Sequence, residues 1–376
     1  MLGGLVMKKC IIASDSFKGT LSTIEICNIV KDEISKADPA CELVCIPVAD
    51  GGEGTVSCFV EGVGAKPITI SAMGPLGKDV PATYAVMGDT AIIEIATCCG
   101  LSLAGDKKDP SKTTSFGVGQ LILDAKNNGC RRILLGLGGS ATNDAGCGML
   151  AALGAKFYDK KGVELLPVGG SLIDITYIET EELKKNISGL TFTLMCDVDN
   201  PLFGENGAAY VYAPQKGADE EMVKSLDEGL RNFSKVVMND LHVDVSNIPG
   251  AGAAGGIGAG GIAFLNANVV SGINAILDVM NYDETVKDAD LIITGEGKID
   301  SQSVRGKVIS GITKRAGDTP VVALVGTSED DTFVKKALGL AGIYKTNKLD
   351  RPFEEIKDTA EHDYRIAVRE LLEEWK

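Results

Sequence analysis

The chain has 376 residues, 44% hydrophobic and 24% charged, which suits a globular protein with two cores and argues against disorder. With 46 glycines and only 5% aromatic residues, it favours a fold rich in tight strand-to-helix turns. A net charge of -15 argues against nucleic acid or an anionic membrane as partner, so an anionic ligand would need backbone N–H groups, a few placed cations or a divalent metal ion.

The first predicted strand, "KKCIIASD", leads through "SFKGTLS" into a helix over "TIEICNIVKDEISKA", where Ile24, Cys27, Ile29, Val30 and Ile34 recur at helical spacing. "CELVCIPVADGGEGT" followed by "VSCFVEGV" repeats the sequence of strand, loop and helix. "KPITISAMGPLGKDVPATYAVMGDTAIIEIATCCGL" alternates in polarity around a hairpin-like "MGDT", which predicts antiparallel or mixed strands. "GVGQLILDAKNNGCRRILLGLGGSATNDAG" reads as helix, strand, loop and helix, and "GLTFTLMCDVDNPLFGENGAAYVYAPQKGA" returns to the mixed character. The run "GAGAAGGIGAGG" at 250–261 is either a hinge or a packed, glycine-lined backbone that approaches a ligand or a neighbouring helix. "ADLIITGEGKIDSQSVRGKVISGITKRAG", "TPVVALVG", the strand "AGIYKTN" and a charged C-terminal helix complete the chain. The expected architecture is α/β: a doubly wound parallel-sheet domain from residues 1–65, 111–157 and 285–376, interrupted by a second α/β domain with a mixed sheet from 66–110 and 158–284.

Ten cysteines, never spaced C-x-x-C, are expected to be reduced core hydrophobes, which points to a cytoplasmic setting. The opening "MLGGLVMKKCIIASD" lacks the features of a secretory signal, with Met7 a candidate start, and no uncharged apolar run reaches the ~18 residues of a membrane span.

Four predicted strand ends carry polar clusters: Asp15, Ser16 and Lys18; Asp50 and Glu53; Ser140, Thr142, Asn143 and Asp144; and Glu296, Lys298 and Asp300. In open parallel sheets, ligands sit outside the carboxyl ends of the strands. Any one Asp there can be a helix cap, but the four clusters together offer oxygen ligands for Mg²⁺ and a carboxylate base. "GLGGSA" at 136–141, with Asp159 further on, also satisfies a dinucleotide-type turn, although Asp144 would repel a pyrophosphate unless a cation intervened. The sequence contains no G-x-x-x-x-G-K-[ST]. "CDVDNPLFG" sets Asp197, Asp199 and Asn200 after a strand, either as turn formers or, for Asp197, as base or metal ligand. Lys18, Lys298, Arg305 and Lys307 can neutralise a phosphate or clamp a carboxylate, with solvated surface charge the alternative for Arg305 and Lys307.

Taken together, "IASDSFKGTLS", "PVADGGEGT", "LGLGGSATNDAGCGML", "CDVDNPLFG" and "TGEGKIDSQS" resemble the motifs of the bacterial-type glycerate kinase family, in order along nearly the whole chain and including the "TTSFGVGQLI" helix. The resemblance implies a flavodoxin/Rossmann-like domain interrupted by a second α/β domain, with ATP and Mg²⁺ used to phosphorylate D-glycerate to 2-phosphoglycerate. The 3-phospho product is the alternative; from other classes, an NAD-dependent hydroxy-acid dehydrogenase using the "GLGGSA" turn and a non-catalytic regulator remain. On the kinase reading Asp197, Asp144 and Lys18 are the catalytic candidates, with Asp197 ahead of Asp144 as base. Asp15, Ser16, Gly138, Gly139, Ser140, Thr142, Asn143, Arg305, Gly255 and Gly256 are expected to contact substrate or phosphates, and Asp50, Glu53, Glu296 and Asp300 to bind metal. The partner expected is the small molecule D-glycerate, with no nucleic acid or membrane and with room for a homodimer.

Overall fold

The computed structural model describes residues 7–17, 19–49, 51–52, 54–299, 308–349 and 351–375. They fall into two units: Met1–Asp50, Ser57–Gly64 and Ile273–Lys376 form the first, and Gly51–Val56 with Ala65–Gly272 form the second.

In the first unit β1 (Lys9–Ser14), β2 (Glu42–Cys45), β11 (Leu291–Ile299), β12 (Val321–Ser328) and β13 (Gly342–Lys345) make a wholly parallel sheet in the order β13-β12-β11-β1-β2. The chain builds outward from β1 to one edge and from β11 to the other. Its order therefore reverses between β1 and β11, the kind of point where open α/β sheets bind ligands. Helices cover both faces, which is why the strands read as near-continuous apolar runs. Cys10, Ile12, Leu291, Ile293, Val322 and Leu324 pack with helices Thr23–Ala37 and Ala360–Glu374. Ile11, Ala13, Ile292, Val321, Ala323 and Val325 pack with helices Val308–Arg315 and Asp331–Leu338 on the other face.

Helix Thr23–Ala37 starts in a capping box: Glu25 N–H donates to Ser22 Oγ at 3.2 Å and Ser22 N–H donates to Glu25 Oε2 at 2.8 Å. It is tied to the C-terminal helix by Glu33, which accepts Arg369 Nε at 2.7 Å and Arg365 Nη1 at 2.9 Å. Those guanidinium bonds, Arg369's foremost, hold the Glu33 carboxyl down to about 2. Cys27 on this helix and Cys45 at the end of β2 form a disulfide, with Cα atoms 6.1 Å apart. This corrects the expectation of uniformly reduced cysteines: a core-facing helical position happens to stand opposite a strand end, a pairing that linear spacing hides. The other eight cysteines are free, and most are buried as expected.

In the second unit β3 (Lys66–Met73), β4 (Asp79–Met87), β5 (Thr90–Glu94), β6 (Arg132–Gly136), β9 (Thr191–Met195) and β10 (Asn268–Val270) form a mixed sheet in the order β10-β9-β6-β5-β4-β3. It is parallel from β10 to β5 and antiparallel through β4 and β3. Strands β7 (Lys156–Tyr158) and β8 (Tyr177–Glu179) form a separate antiparallel ribbon. Since β6 lies between β5 and β9, with Gly136 opposite both Glu94 and Met195, residues 111–157 belong to this unit and not to the first. That corrects the expected boundary, as does the placement of 51–56 here and of 273–284 in the first unit. The run at 250–261 is no hinge: it enters the largely buried helix Ala253–Leu265, whose first turn holds left-handed Ala254, Gly255 and Gly256. Among the described residues no helix is long and apolar enough to cross a membrane.

Candidate active site

In the first unit the carboxyl ends of β1, β11, β12 and β13 surround a cavity of about 380 Å³. Asp15 and Ser16 line it from β1, Glu296 and Lys298 from β11, and Thr346 and Asn347 from beyond β13. Asp15 N–H donates to Gly295 O at 2.9 Å, extending the ladder one residue past β1 and bringing Asp15 level with the buried Glu296 at the point of reversal. Asp15 Oδ1 accepts the Ser16 N–H at 2.7 Å. Lys298 stands exposed, paired with Glu329 at 2.8 Å. Phe17, Leu21, Phe353 and Ile356 supply an apolar wall. The segment bearing the last two is laced at its ends: Asn347 Nδ2 donates to Arg351 O at 3.0 Å, Thr359 Oγ1 donates to Asp363 at 2.7 Å, and Arg351 pairs with Asp363. The structure thus brings Asp15, Ser16 and Glu296 together as expected. Lys18, Asp50, Glu53, Asp300, Arg305 and Lys307 lie outside the described residues.

In the second unit the ends of β5, β6 and β9 meet the segment that opens at Gly51. A Cβ on Gly136 would lie 2.1 Å from Gly51 O, and one on Gly138 would lie 2.8 Å from Gly52 Cα. The close approach that Gly138 permits is therefore to another stretch of backbone, and that replaces the expected phosphate as the reason for glycine there. Glu94, buried at the end of β5, accepts the Val56 N–H. Asp197, exposed just beyond β9, accepts the Gly272 N–H at 3.0 Å. The backbone at Gly51, Gly52 and Val56, the "LGLGGS" turn and Asp197 thus contribute to one strand-end surface. Asn200 is a turn former: its amide accepts from Tyr212 Oη at 2.6 Å and donates to Asn206 O at 2.8 Å.

The loop after Gly139 departs most from expectation. Asp144 is fully buried, its Oδ2 accepting from Ser115 N and Oγ at 2.8 Å each and from Gly148 N at 3.2 Å, its Oδ1 from Gly146 N at 3.1 Å. Burial pushes its carboxyl up, the four bonds opposing. Its oxygens are occupied and shielded, which speaks for a structural clamp in place of the catalytic role expected of Asp144: it ties the loop to the "TTS" segment, where Thr113 Oγ1 also donates to Ala141 O at 2.8 Å. Gly255 and Gly256, expected at phosphates, pack on this loop instead: a Cβ on Gly255 would lie 2.0 Å from Thr142 O, and one on Gly256 2.9 Å from Ala145 Cα. Thr142 Oγ1 and the Asn143 amide are buried with no hydrogen-bond partner among the described residues.

One charged residue of this site was invisible in the sequence. Lys216, closing the 3₁₀ turn Pro214–Lys216, is 3% exposed, and its Nζ donates to Ser140 Oγ at 2.9 Å and to Thr142 O at 2.7 Å. Burial lowers its pKa to about 8, with Cys99 and Asp144 opposing. A lysine between Pro and Gly reads as an ordinary surface turn, so "APQKGA" carried no signal.

The dinucleotide geometry fails. Gly139 O accepts from Leu101 N–H and Ala141 N–H donates to Cys99 O, both at 2.8 Å, so the turn is engaged by residues 99–101 and the helix begins only at Cys147. Asp159 accepts the Lys161 and Val163 N–H groups at 2.8 Å in an exposed turn after β7, outside the main sheet. Of the four expected metal carboxylates only Glu296 is described, and among the described residues no three His, Cys, Asp or Glu gather as a metal site.

A doubly wound first unit with its crevice at the order reversal, joined to a second unit with glycine-rich strand ends, defines an α/β enzyme of small-molecule chemistry. The model of the glycerate kinase family matches residues 10–376. The chain is 41% identical over 373 residues to a glycerate kinase of Bacillus cereus, covering 98% of both chains. It is 42% identical over 341 residues to glycerate 2-kinase of Escherichia coli, covering 89% of this chain and 90% of that one. A crystal structure assigned to glycerate kinase 2 from Salmonella typhimurium superposes with a TM-score of 0.87 at 38% identity, covering 98% of each chain. The chain belongs to the glycerate kinase family, and it is an enzyme, a kinase with ATP as phosphate donor. Family membership, with the geometry of the "GLGGSA" turn, sets aside the dehydrogenase and regulator readings.

Proposed function

We propose that this enzyme transfers the γ-phosphoryl group of ATP to the 2-hydroxyl of D-glycerate, giving 2-phosphoglycerate and ADP in the cytoplasm. The similarity to a glycerate 2-kinase supports the choice of hydroxyl. The observation that carries the reading is the convergence of the Gly51–Val56, Gly136–Ser140 and Asp197 segments at the carboxyl end of the second unit's sheet. Phosphoryl transfer needs positioning and charge stabilisation more than covalent chemistry, and strand-end loops supply both. The ATP phosphates lie on the Gly139–Asn143 loop, and Asp197, the exposed carboxylate at the end of β9, accepts the proton of the attacking hydroxyl. In the first unit the crevice of Asp15, Ser16 and Glu296 takes polar groups of the substrates; the sequence gives Lys18 and Arg305 the same role. Carboxylate oxygens suit a hard divalent ion, so Glu296, buried in this cavity beside Asp15, would help to hold Mg²⁺. When bound, such an ion neutralises phosphate charge.

The test is incubation with ATP, Mg²⁺ and D-glycerate, followed by phosphorus NMR of the product. A 2-phospho ester is expected; a 3-phospho ester would overturn the regiochemistry, and ATP left intact would overturn the whole proposal.

A further inference from the structure

Lys216 reaches the Gly139–Asn143 loop through two hydrogen bonds, and the chemistry at its tip is directional. An ammonium group can only donate, so at Ser140 the hydroxyl oxygen is the acceptor of the 2.9 Å bond and the hydroxyl proton must point elsewhere. Among the described residues nothing accepts that proton. Ser140 is 6% exposed, so it separates a buried cation from solvent at the carboxyl end of β6, immediately after Gly139. Next along the loop, Thr142 Oγ1 and the Asn143 amide are buried and without partners. Buried polar atoms left unpaired are costly, and loops retain them where a ligand or water completes the set. Lys216 also holds the loop's backbone through Thr142 O at 2.7 Å.

From this geometry we infer that Lys216 is a positioning residue: it fixes the Gly139–Asn143 loop and turns Ser140 into a hydrogen-bond donor for a phosphoryl oxygen of the nucleotide. The inference rests on the proposed function only in taking a nucleotide as the ligand. The buried ammonium polarises the Ser140 hydroxyl, strengthening it as a donor to an anionic oxygen. Lysine is suited to this because its charge stays under the loop while the serine makes the contact. Two groups face the ammonium besides its hydrogen-bond partners: Asp144 from the loop and Cys99 from helix Ala96–Cys99. The Cys99 thiol, next to Cys98 and fully buried, is pushed well above its ordinary range and stays neutral near pH 8. Loss of charge in mildly alkaline solution therefore belongs to Lys216, whose proton is released at about 8.

The experiment is calorimetric titration of the full chain with ATP, ADP and inorganic phosphate at roughly pH 7 and pH 9, for the wild type, Ser140→Ala, Lys216→Met and the double variant. Each single substitution is expected to weaken ATP and ADP binding by about ten-fold or more, and the double variant to be scarcely weaker than either single one. Wild-type affinity should fall between the two pH values, and Ser140→Ala should lose most of that fall. Wild-type nucleotide affinity in Ser140→Ala, or an undiminished pH dependence in it, overturns the proposal even if Lys216→Met does not fold. Binding of inorganic phosphate without either nucleotide, or binding of none of the three by the wild type, overturns it as well. Nucleotide binding that follows this pattern without formation of phosphoglycerate supports this inference while overturning the proposed function.

Discussion

Replacing Gly255 by alanine tests whether the glycine-rich helix entry exists to let the motif loop pack. Two costs can be read from the structure. The residue sits at φ +70, where an L side chain costs about 1–2 kcal/mol. Its Cβ would also stand 2.0 Å from Thr142 O and 2.7 Å from Asn143 Cα, backbone atoms that no rotamer change can move aside. Overpacking of that kind costs about 1–3 kcal/mol more. The sum, roughly 2–5 kcal/mol, corresponds to a loss of roughly 4–20 °C in melting temperature for a unit of this size. Gly162→Ala is the control, because Gly162 has φ +75 with nothing within 4 Å of its would-be Cβ, so it carries the conformational cost alone. Differential scanning calorimetry of the two variants, with ATP titration of each, separates the costs. Because Thr142 O is the atom displaced and also accepts from Lys216, Gly255→Ala should lose ATP affinity while Gly162→Ala keeps it. Equal melting temperatures for the two variants would refute the packing argument.

Three further substitutions probe the roles assigned above. Asp197→Asn should lower turnover by about 10²–10⁴-fold with ATP affinity nearly intact, and an unchanged turnover number would remove Asp197 from the role of base. Asp144→Asn turns an amide N–H₂ toward at least one of the backbone donors that now bond the carboxylate, so chemical denaturation should show a loss of about 1–3 kcal/mol. Lys216 has its folded pKa, about 8, below its ordinary 10.5, so between these values the unfolded chain holds a proton that the folded one has released. Stability from this group therefore rises with pH across that window, by about 3 kcal/mol at most, while nucleotide affinity falls. Denaturant melts of the wild type against Lys216→Met near the two limits would expose a trend of the opposite sign.

The sequence made the strands legible wherever β-branched runs end in Gly, Ser or Asp. "KKCIIASD" and "ADLIITGEG" became the two neighbours at the order reversal, and the alternation of "KPITISAM" became the antiparallel edge. The sheet that a strand joins was not legible. "CRRILLGLGG" has the local pattern of a doubly wound domain, yet its partners β5 and β9 are set by long-range register, which no local spacing encodes. That Asp15, Ser16 and Glu296 share one cavity was legible because the carboxyl ends of neighbouring strands lie side by side in any parallel sheet. The burial of Asp144 was not legible, because a carboxylate beside glycines looks the same in sequence whether it faces a cation or the four donors that surround it. Lys216 escaped because burial, which makes it exceptional, is a property of the tertiary structure alone.

The pairing of β1 with β11, Cys10 opposite Leu291, bears on the order in which the chain can fold during synthesis. Between those strands lies the whole of the second unit, Gly51–Val56 and Ala65–Gly272, and every strand of its mixed sheet is made before Leu291. The second unit can therefore close its core as soon as it emerges, whereas β1 and β2 must wait with two apolar faces and one long unpaired edge. During that interval the first-made strands are the segment of the chain most exposed to mispairing and to chaperones. A protein whose first strand must wait for so distant a partner should refold more slowly from denaturant than its size alone suggests, with the first unit's sheet forming in the slow phase.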